Sequence, residues 1–575
     1  MLAILSALSL AQMVEWPVYG GDAGGTRFSA AKQIHRTNVA RLKEAWRINT
    51  GGLYQPQRGK AAALETTPLY VNGTLYLTSA LGRVIAADPA TGKQRWTFDP
   101  QVDPTRGYGD FTNRGVSYHA SGLIIGVTVD ARLFVLDAKD GKRRWEVNLR
   151  EGLRIAPQEF PEYEQTSPPC IIGDRIVIGS AVADNGRTDM PSGEIRAYDV
   201  RSGKLLWTWD PAPNTRMGGA NAWSVIVADE RRGLVFVPTG SASPDYYGGR
   251  RTGLDQYANS VLALEAATGK LKWSFQTVHH DLWDYDVASS PALVKVRGQD
   301  AVAVGSKTGH LFLLDRDTGR PLFPVEERPV PASDAEGEQA SPTQPFPAKP
   351  PSLSPHQASL RPECSERAAG LRNEGIFTPP SERGSLLVPG NIGGLHWGGV
   401  SYDPGLGLIV APSNNVPAIV RLVRRDRFRD EQRGEKFDME FTAQTGTPYG
   451  MARQLLLGTN GTPCQTGPAG FLTAVDTTTG EIRWQTPLTL NLGGPISTAG
   501  GLTFLGATVD GFFRAFDTGT GKQLWQAKLP ASARSTPMTY VHQGRQYVVI
   551  SAGGHDPKLG PLGDAVVAFA LPEPK

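Results

Sequence analysis

AADPATGKQRW at residues 86–96 reads as a strand ending in an acid, a turn closed by glycine, and a second strand carrying a tryptophan. The phrase returns as VLDAKDGKRRW at 135–145, AYDVRSGKLLW at 197–207, ALEAATGKLKW at 263–273, LLDRDTGRPLF at 313–323, AVDTTTGEIRW at 474–484 and AFDTGTGKQLW at 515–525. The turn needs its glycine because longer hairpins close through a residue of positive φ. A tryptophan at one fixed offset in unit after unit reads as a packing wedge between neighbours rather than a ligand contact. Recurrence of one hairpin type predicts a repeat architecture before any motif is considered.

Working outward, the acids of neighbouring phrases lie about 41 to 66 residues apart, the spacing of four-stranded propeller blades. The longer gap from Asp315 to Asp476 begins with a stretch rich in Pro, Ser and Glu, expected to be a loop insertion at about 321–385. It continues with HWGGVSYDPGLGLIVAPSNN at 396–415, similar to AWSVIVADERRGLVFVPTGS at 222–241, so one enlarged unit is expected there, with a second, charged excursion at about 420–450. The C-terminal DAVVAFALPEPK supplies an acid-side strand with no tryptophan strand after it, and LKEAWRINTG at 42–51 supplies a tryptophan strand with no partner before it. Joining them makes an eighth unit and closes a ring without free edges. The expectation is an all-β, eight-bladed β-propeller of tryptophan-docking repeats, closed by the N- and C-terminal strands and forming one domain over 12–575.

Composition agrees with a globular chain: 40% of the 575 residues are hydrophobic and 20% charged, with 66 Gly and 44 Pro to serve many turns. A net charge of only +3, without a long basic run, argues against a nucleic-acid partner. Three cysteines and no CxxCH motif leave no site for c-type haem attachment. The apolar start MLAILSALSLAQ resembles a secretory signal over 1–11, and no later segment is apolar for long enough to span a bilayer.

Ligands of such an array belong on its axis, where the repeats stop resembling one another. Four stretches qualify: NRGVSYHA at 113–120, AVADN at 181–185, HHDLWDYD at 279–286 and GSKTGH at 305–310. HHDLWDYD packs two histidines, three carboxylates and two aromatic rings into eight residues. A carboxylate beside aromatic rings suits a general base, although acids in a loop also cap turns. Adjacent His279 and His280 do not readily share one metal and read as structural.

The repeats, HHDLWDYD, NRGVSYH and WPVYGGDAGGTRFS at 16–29 together resemble the pyrroloquinoline quinone (PQQ)-dependent, or quinoprotein, dehydrogenases. The similarity runs from about Trp16 to Pro572 and is strongest to the periplasmic domain of the membrane-bound glucose-oxidising branch. It implies that Asp284 is the base that takes the alcohol proton, while a hydride passes to PQQ. It implies that the cofactor lies on the indole of Trp223, with Lys307 at the quinone oxygens and Arg114 near the carboxylates, where a guanidinium fork suits a carboxylate. Glu65 and Asn391 resemble further cofactor contacts, and His119 a substrate-pocket histidine. Trp223 and His119 taken alone read equally well as packed or hydrogen-bonded core residues, and Lys307 as a turn-flanking surface residue.

The resemblance also implies Ca²⁺ as a Lewis acid, with Asp184, Asn185 and Ser243 as ligands. Ser241 and Ser243 stand where relatives tend to carry Asn and Thr, which weakens that ligand set. The adjacent cysteine pair of the methanol-oxidising branch is missing; Phe111, Thr112 and Asn113 precede Arg114 instead. The expected activity is oxidation of an aldose or polyol. Alternatives are a quinoprotein for another alcohol class, or a cofactor-free propeller scaffold, which would have no reason to keep Trp223, Lys307, Arg114 and Asp284 together. With no haem or membrane domain apparent, an external acceptor is expected, ubiquinone or a soluble cytochrome. The expected location is periplasmic or secreted, and in such an oxidising compartment Cys364 and Cys464 are candidates to pair, leaving Cys170 alone.

Overall fold

The computed structural model describes residues 13–573 apart from 58–59, 436–438, 459–460, 555 and 558; the expected signal at 1–11 lies outside them. The chain is all-β, and the α-helices among the described residues are two short ones, Pro362–Ala368 and Phe428–Arg433.

Successive stretches of chain fold into antiparallel sheets whose strands follow sequence order. Leu69–Val71, Thr74–Thr78, Val84–Ala87 and Gln94–Phe98 form one, and the following sheets span Ser117–Asn148, Cys170–Trp209 and Val227–Gln276. The next, Ala292–Asp315, has three strands. Another joins Ser401–Asp403 and Leu408–Asn414 to Gly470–Asp476 and Ile482–Leu488, reaching across an intervening excursion. In the Ile496–Lys528 sheet, Phe28–Ser29 adds a parallel strand beside Ile496–Thr498. Finally Met538–His542, Arg545–Ala552 and Ala565–Ala570 form a sheet whose outer strand is Lys43–Asn49 from the other end of the chain.

The repeat phrases make one recurring contact. The indole N–H of Trp46 donates to the Pro89 carbonyl (3.1 Å), Trp96 to Ala138 (3.1 Å), Trp145 to Val200 (3.1 Å), Trp207 to Ala266 (3.0 Å), Trp273 to Arg316 (3.1 Å) and Trp484 to Thr518 (3.0 Å). Each acceptor follows the acid of the next phrase, so each tryptophan lies on its neighbour's turn. The turn glycines take φ of about 70–73°, and a Cβ on Gly92, Gly141 or Gly269 would run into the indole of Trp46, Trp96 or Trp207. Glycine there answers both the left-handed backbone and the close approach of the ring.

The stretch expected as a loop at 321–385 contains the hairpin Val325–Pro329 with Thr343–Pro347 and the first helix. The stretch at 420–450 contributes to a separate sheet of Ser385–Leu387, Ala418–Arg424, Tyr449–Leu455 and Glu440–Thr442. Cys364 and Cys464 form a disulfide beside this sheet, with Cα atoms 5.8 Å apart, and Cys170 is free and buried. The added sheet brings the chain back over the loop at 279–286.

Candidate active site

HHDLWDYD follows the tryptophan strand Leu271–Gln276. Its residues divide by direction. Asp281 folds the loop on itself: its carboxylate accepts from the backbone N–H of Trp283 (3.0 Å) and Tyr285 (2.9 Å) and from Asn259 (3.0 Å). Trp283 and Tyr285 are buried and tie the loop down by donating to the carbonyls of Thr378 (2.7 Å) and Pro389 (2.6 Å). His279 bonds Gln276 and Glu327, and His280 bonds Asp255 (3.0 Å) and Glu338 (2.9 Å). Both histidines are therefore used in holding the loop. Between these anchors Asp284 and Asp286 turn toward a cavity of about 200 Å³. Asp284 has φ of 60°, a left-handed conformation uncommon outside glycine that the surrounding anchors must hold.

Lys307 spans the two acids, its Nζ 2.6 Å from Asp284 Oδ1 and 2.8 Å from Asp286 Oδ2. Its backbone N–H donates to the Asp286 carbonyl (3.0 Å), and its own carbonyl accepts from Gly394 (2.7 Å). Asp286 also accepts from Trp223 Nε1 (3.2 Å) and from the Ser241 N–H (2.7 Å). Burial pushes the Asp284 carboxyl up to about 7, a rise that Lys307 counters and Asp286 reinforces. Burial, and then the charges of Asp286 and Asp284, push Asp184 well above the usual carboxylate range. Burial followed by Asp184 does the same to Asp245, whose two buried carboxylate oxygens have no hydrogen-bond partner among the described residues.

Trp223 forms one wall, with the Arg114 guanidinium 5.7 Å and the Lys307 ammonium 5.9 Å from its ring centre. Glu65 is fully buried and holds two guanidinium groups, Arg114 at 2.9 Å and Arg534 at 3.1 Å. Arg114 also donates to Thr166 (2.8 Å). Arg534 lies 5.2 Å over a second indole, Trp397, whose buried Nε1 has no hydrogen-bond partner among the described residues. Two indoles, three cations and an unanswered N–H make a slot suited to a flat, polyanionic ring system with acceptor atoms at its edge.

Of the residues singled out in the sequence, Asp284, Trp223, Lys307, Arg114 and Asp184 line this cavity together. Glu65 stands behind Arg114. Asn391 and Asn185 are half-buried nearby in sequence but do not line it, and buried Ser243 borders a different depression. Of the three expected ligands, Asp184 lines the cavity, while Asn185 and Ser243 are not among the residues that line it. Among the described residues no three His, Cys, Asp or Glu side chains are disposed to hold a metal ion. His119 is not among the residues lining the cavity; its imidazole meets Asp174 (3.2 Å) and Ser121 (2.7 Å). Arg114 follows the strand Thr112–Asn113, whereas His119 ends the separate strand Ser117–His119, with Gly115 at φ 128° between them.

Asp286, Trp397, Arg534 and Asp110 also line the cavity and were not singled out. Asp286 carried a signal, since it is the third acid of the same HHDLWDYD loop. Trp397 and Arg534 carried none, because only folding brings them to the axis.

A family model described as "PQQ: Glucose/ethanol/alcohol dehydrogenase, beta-propeller domain" matches residues 16–548. The quinoprotein glucose dehydrogenase of Escherichia coli (strain K12) is 38% identical, over 97% of this chain and 79% of that protein. Quinoprotein glucose dehydrogenase A of Acinetobacter calcoaceticus is 37% identical, over 98% and 80%. Among solved structures, the quinohemoprotein alcohol dehydrogenase of Comamonas testosteroni superimposes with a TM-score of 0.74 at 26% identity, covering 98% of this chain and 82% of that one.

Proposed function

The chain belongs to the PQQ-dependent dehydrogenase family, a β-propeller family, and from that premise we propose that it oxidises an aldose or polyol, glucose-like in size and polarity, with Asp284 as general base. The observation that carries this reading is the Asp284–Lys307–Asp286 cluster beside Trp223, where a fixed ammonium lies 2.6 Å from one buried carboxylate and 2.8 Å from the other, and burial pushes the Asp284 carboxyl up. In the slot, Trp223 would offer its face to the ring of PQQ, while Arg114, Arg534 and Lys307 would oppose the cofactor's negative charge. When bound, PQQ supplies the two-electron acceptor, and a Ca²⁺ ion supplies a Lewis acid. Asp184, with the unanswered oxygens of Asp245 behind it, offers the hard oxygen donors that Ca²⁺ prefers.

The work of the protein's own side chains then follows. Asp284, deprotonated, would take the proton of the substrate hydroxyl, the bound quinone being the acceptor for the hydride of the adjoining C–H. Lys307 holds Asp284 in place and stabilises negative charge that develops beside it. The anchors Trp283 and Tyr285 keep the base from swinging.

The same reading takes the antiparallel sheets as eight blades, docked tryptophan to turn, with the ring closed where Lys43–Asn49 pairs with Ala565–Ala570. A periplasmic or secreted location is supported by the Cys364–Cys464 bridge, and electrons would leave to an external acceptor, ubiquinone or a soluble cytochrome. The test is reconstitution with PQQ and Ca²⁺ followed by a dye-linked assay across sugars and simple alcohols. Turnover with aldoses or polyols is expected; turnover with simple alcohols alone would move the chain to another alcohol class, and none at all would favour a scaffold.

A further inference from the structure

Asp284 has a second cationic partner that comes from outside the repeats. Arg453 lies on Tyr449–Leu455 of the added sheet. Glu440 stands directly across from it in register and grips the guanidinium through two bonds, to Nε (2.9 Å) and Nη2 (3.2 Å). That grip fixes the plane of the fork. The remaining nitrogen, Nη1, donates to the Tyr246 hydroxyl (2.8 Å) and to Asp284 Oδ2 (3.1 Å), and the guanidinium lies 5.5 Å over the Tyr246 ring. Tyr246 is itself fully buried, and its hydroxyl reaches Asp284 Oδ2 only weakly, at 3.5 Å.

The two oxygens of the base are thus held unequally. Oδ1 is closed by the short bond from Lys307, and Oδ2 by two longer ones. A substrate hydroxyl that delivered its proton to Oδ2 would meet Arg453 Nη1 and the Tyr246 hydroxyl, which already bond that oxygen. Both groups lose part of their bonding to Asp284 as the substrate enters. In a buried site the loss must be made good by an acceptor atom of the substrate itself. We infer that Arg453 and Tyr246 read an acceptor oxygen on the carbon next to the one oxidised, so that the added sheet sets the substrate class. This rests on the dehydrogenase reading above.

The experiment compares D-glucose with 2-deoxy-D-glucose, which lacks the oxygen beside the reacting carbon, using holoenzyme reconstituted with PQQ and Ca²⁺. Wild-type kcat/KM is expected to favour glucose by about 10- to 100-fold, the range of a hydrogen bond from a charged donor. Arg453→Met is expected to reduce that preference to about threefold or less, with the loss concentrated in the glucose reaction and PQQ absorbance retained. Arg453→Lys keeps a charged donor and should restore part of the preference. Tyr246→Phe keeps the ring and should cost a smaller share, about two- to tenfold. An active Arg453→Met enzyme that slows both sugars equally and keeps the wild-type ratio would overturn the inference; should it fail to fold, an unaltered ratio in Tyr246→Phe and Arg453→Lys would do so. A wild-type holoenzyme that oxidises neither sugar would instead remove the aldose reading, and the inference with it.

Discussion

The turn at 197–207 and the loop at 279–286 are both short and acid-bearing, and each follows or carries a repeat tryptophan strand, yet they treat their acids in opposite ways. Asp199 accepts from the Ser202 N–H (2.8 Å) and hydroxyl (2.6 Å) and from the Arg201 N–H (3.2 Å), and the Ser202 bonds hold its carboxyl below the usual range. Asp137 and Asp476 in the equivalent turns are lowered too, through the Lys139 N–H and Arg483 respectively. These acids are wanted as anions by their own turns. Asp284, Asp184 and Asp245 are raised, with burial the leading cause in each. The repeats spend their polar groups on local structure. The axis keeps charged groups whose own surroundings do not fully satisfy them, which is the signature of a place shaped for something else to bind.

The sharpest way to break this contrast is to neutralise an acid of the second kind. Asp284→Asn is expected to lower kcat by about 10²- to 10⁴-fold while PQQ stays bound, as for loss of a general base. In the wild type, kcat/KM should fall tenfold per pH unit below about 7, because the base must be deprotonated and its carboxyl titrates there. A flat acid limb, or near-normal turnover in the variant, would place the base elsewhere.

A change of the first kind should do the reverse. Trp207 is buried against the next turn, so Trp207→Ala is expected to cost about 3–5 kcal/mol of stability, measured by denaturant unfolding. The folded fraction should keep normal turnover. A large loss of kcat in folded protein would mean that the repeat tryptophans also serve chemistry.

The smallest effect separates the two regions by sign. Asp245→Asn is expected to stabilise the metal-free, cofactor-free chain by about 1–2 kcal/mol near pH 8, since it removes a buried carboxylate without partners. The direction follows from linkage. A carboxyl raised in the folded state stabilises fully only below its unfolded value, and that contribution is lost as pH rises through the folded one. The gain should therefore vanish toward pH 4. The same change at Asp199 should destabilise, and equal signs at the two positions would erase the distinction.

The repeats were readable in the sequence because their physics is local: an acid, a glycine and a tryptophan at fixed offsets report on one hairpin at a time. The pairing of Trp46's strand with the C-terminal strand was readable for the same reason, as two half-phrases. Much of the site was readable through motifs that bring their own neighbours, such as Asp284 and Lys307. His119, on a strand that pairs with Leu123–Val127, bonds Asp174 and Ser121 and is not among the residues lining the cavity. Arg453, Arg534 and Trp397 were silent, since their place beside Asp284 or Trp223 depends on contacts between residues more than a hundred positions apart.

The central claim is that the slot between Trp223 and Trp397 holds PQQ. Titration of PQQ into the purified apo-chain with Ca²⁺ present, followed by cofactor absorbance after gel filtration, tests it most directly. One PQQ retained per chain, with quenching of tryptophan emission that Trp223→Ala diminishes, is the predicted result. A chain that elutes free of cofactor under every condition would contradict it.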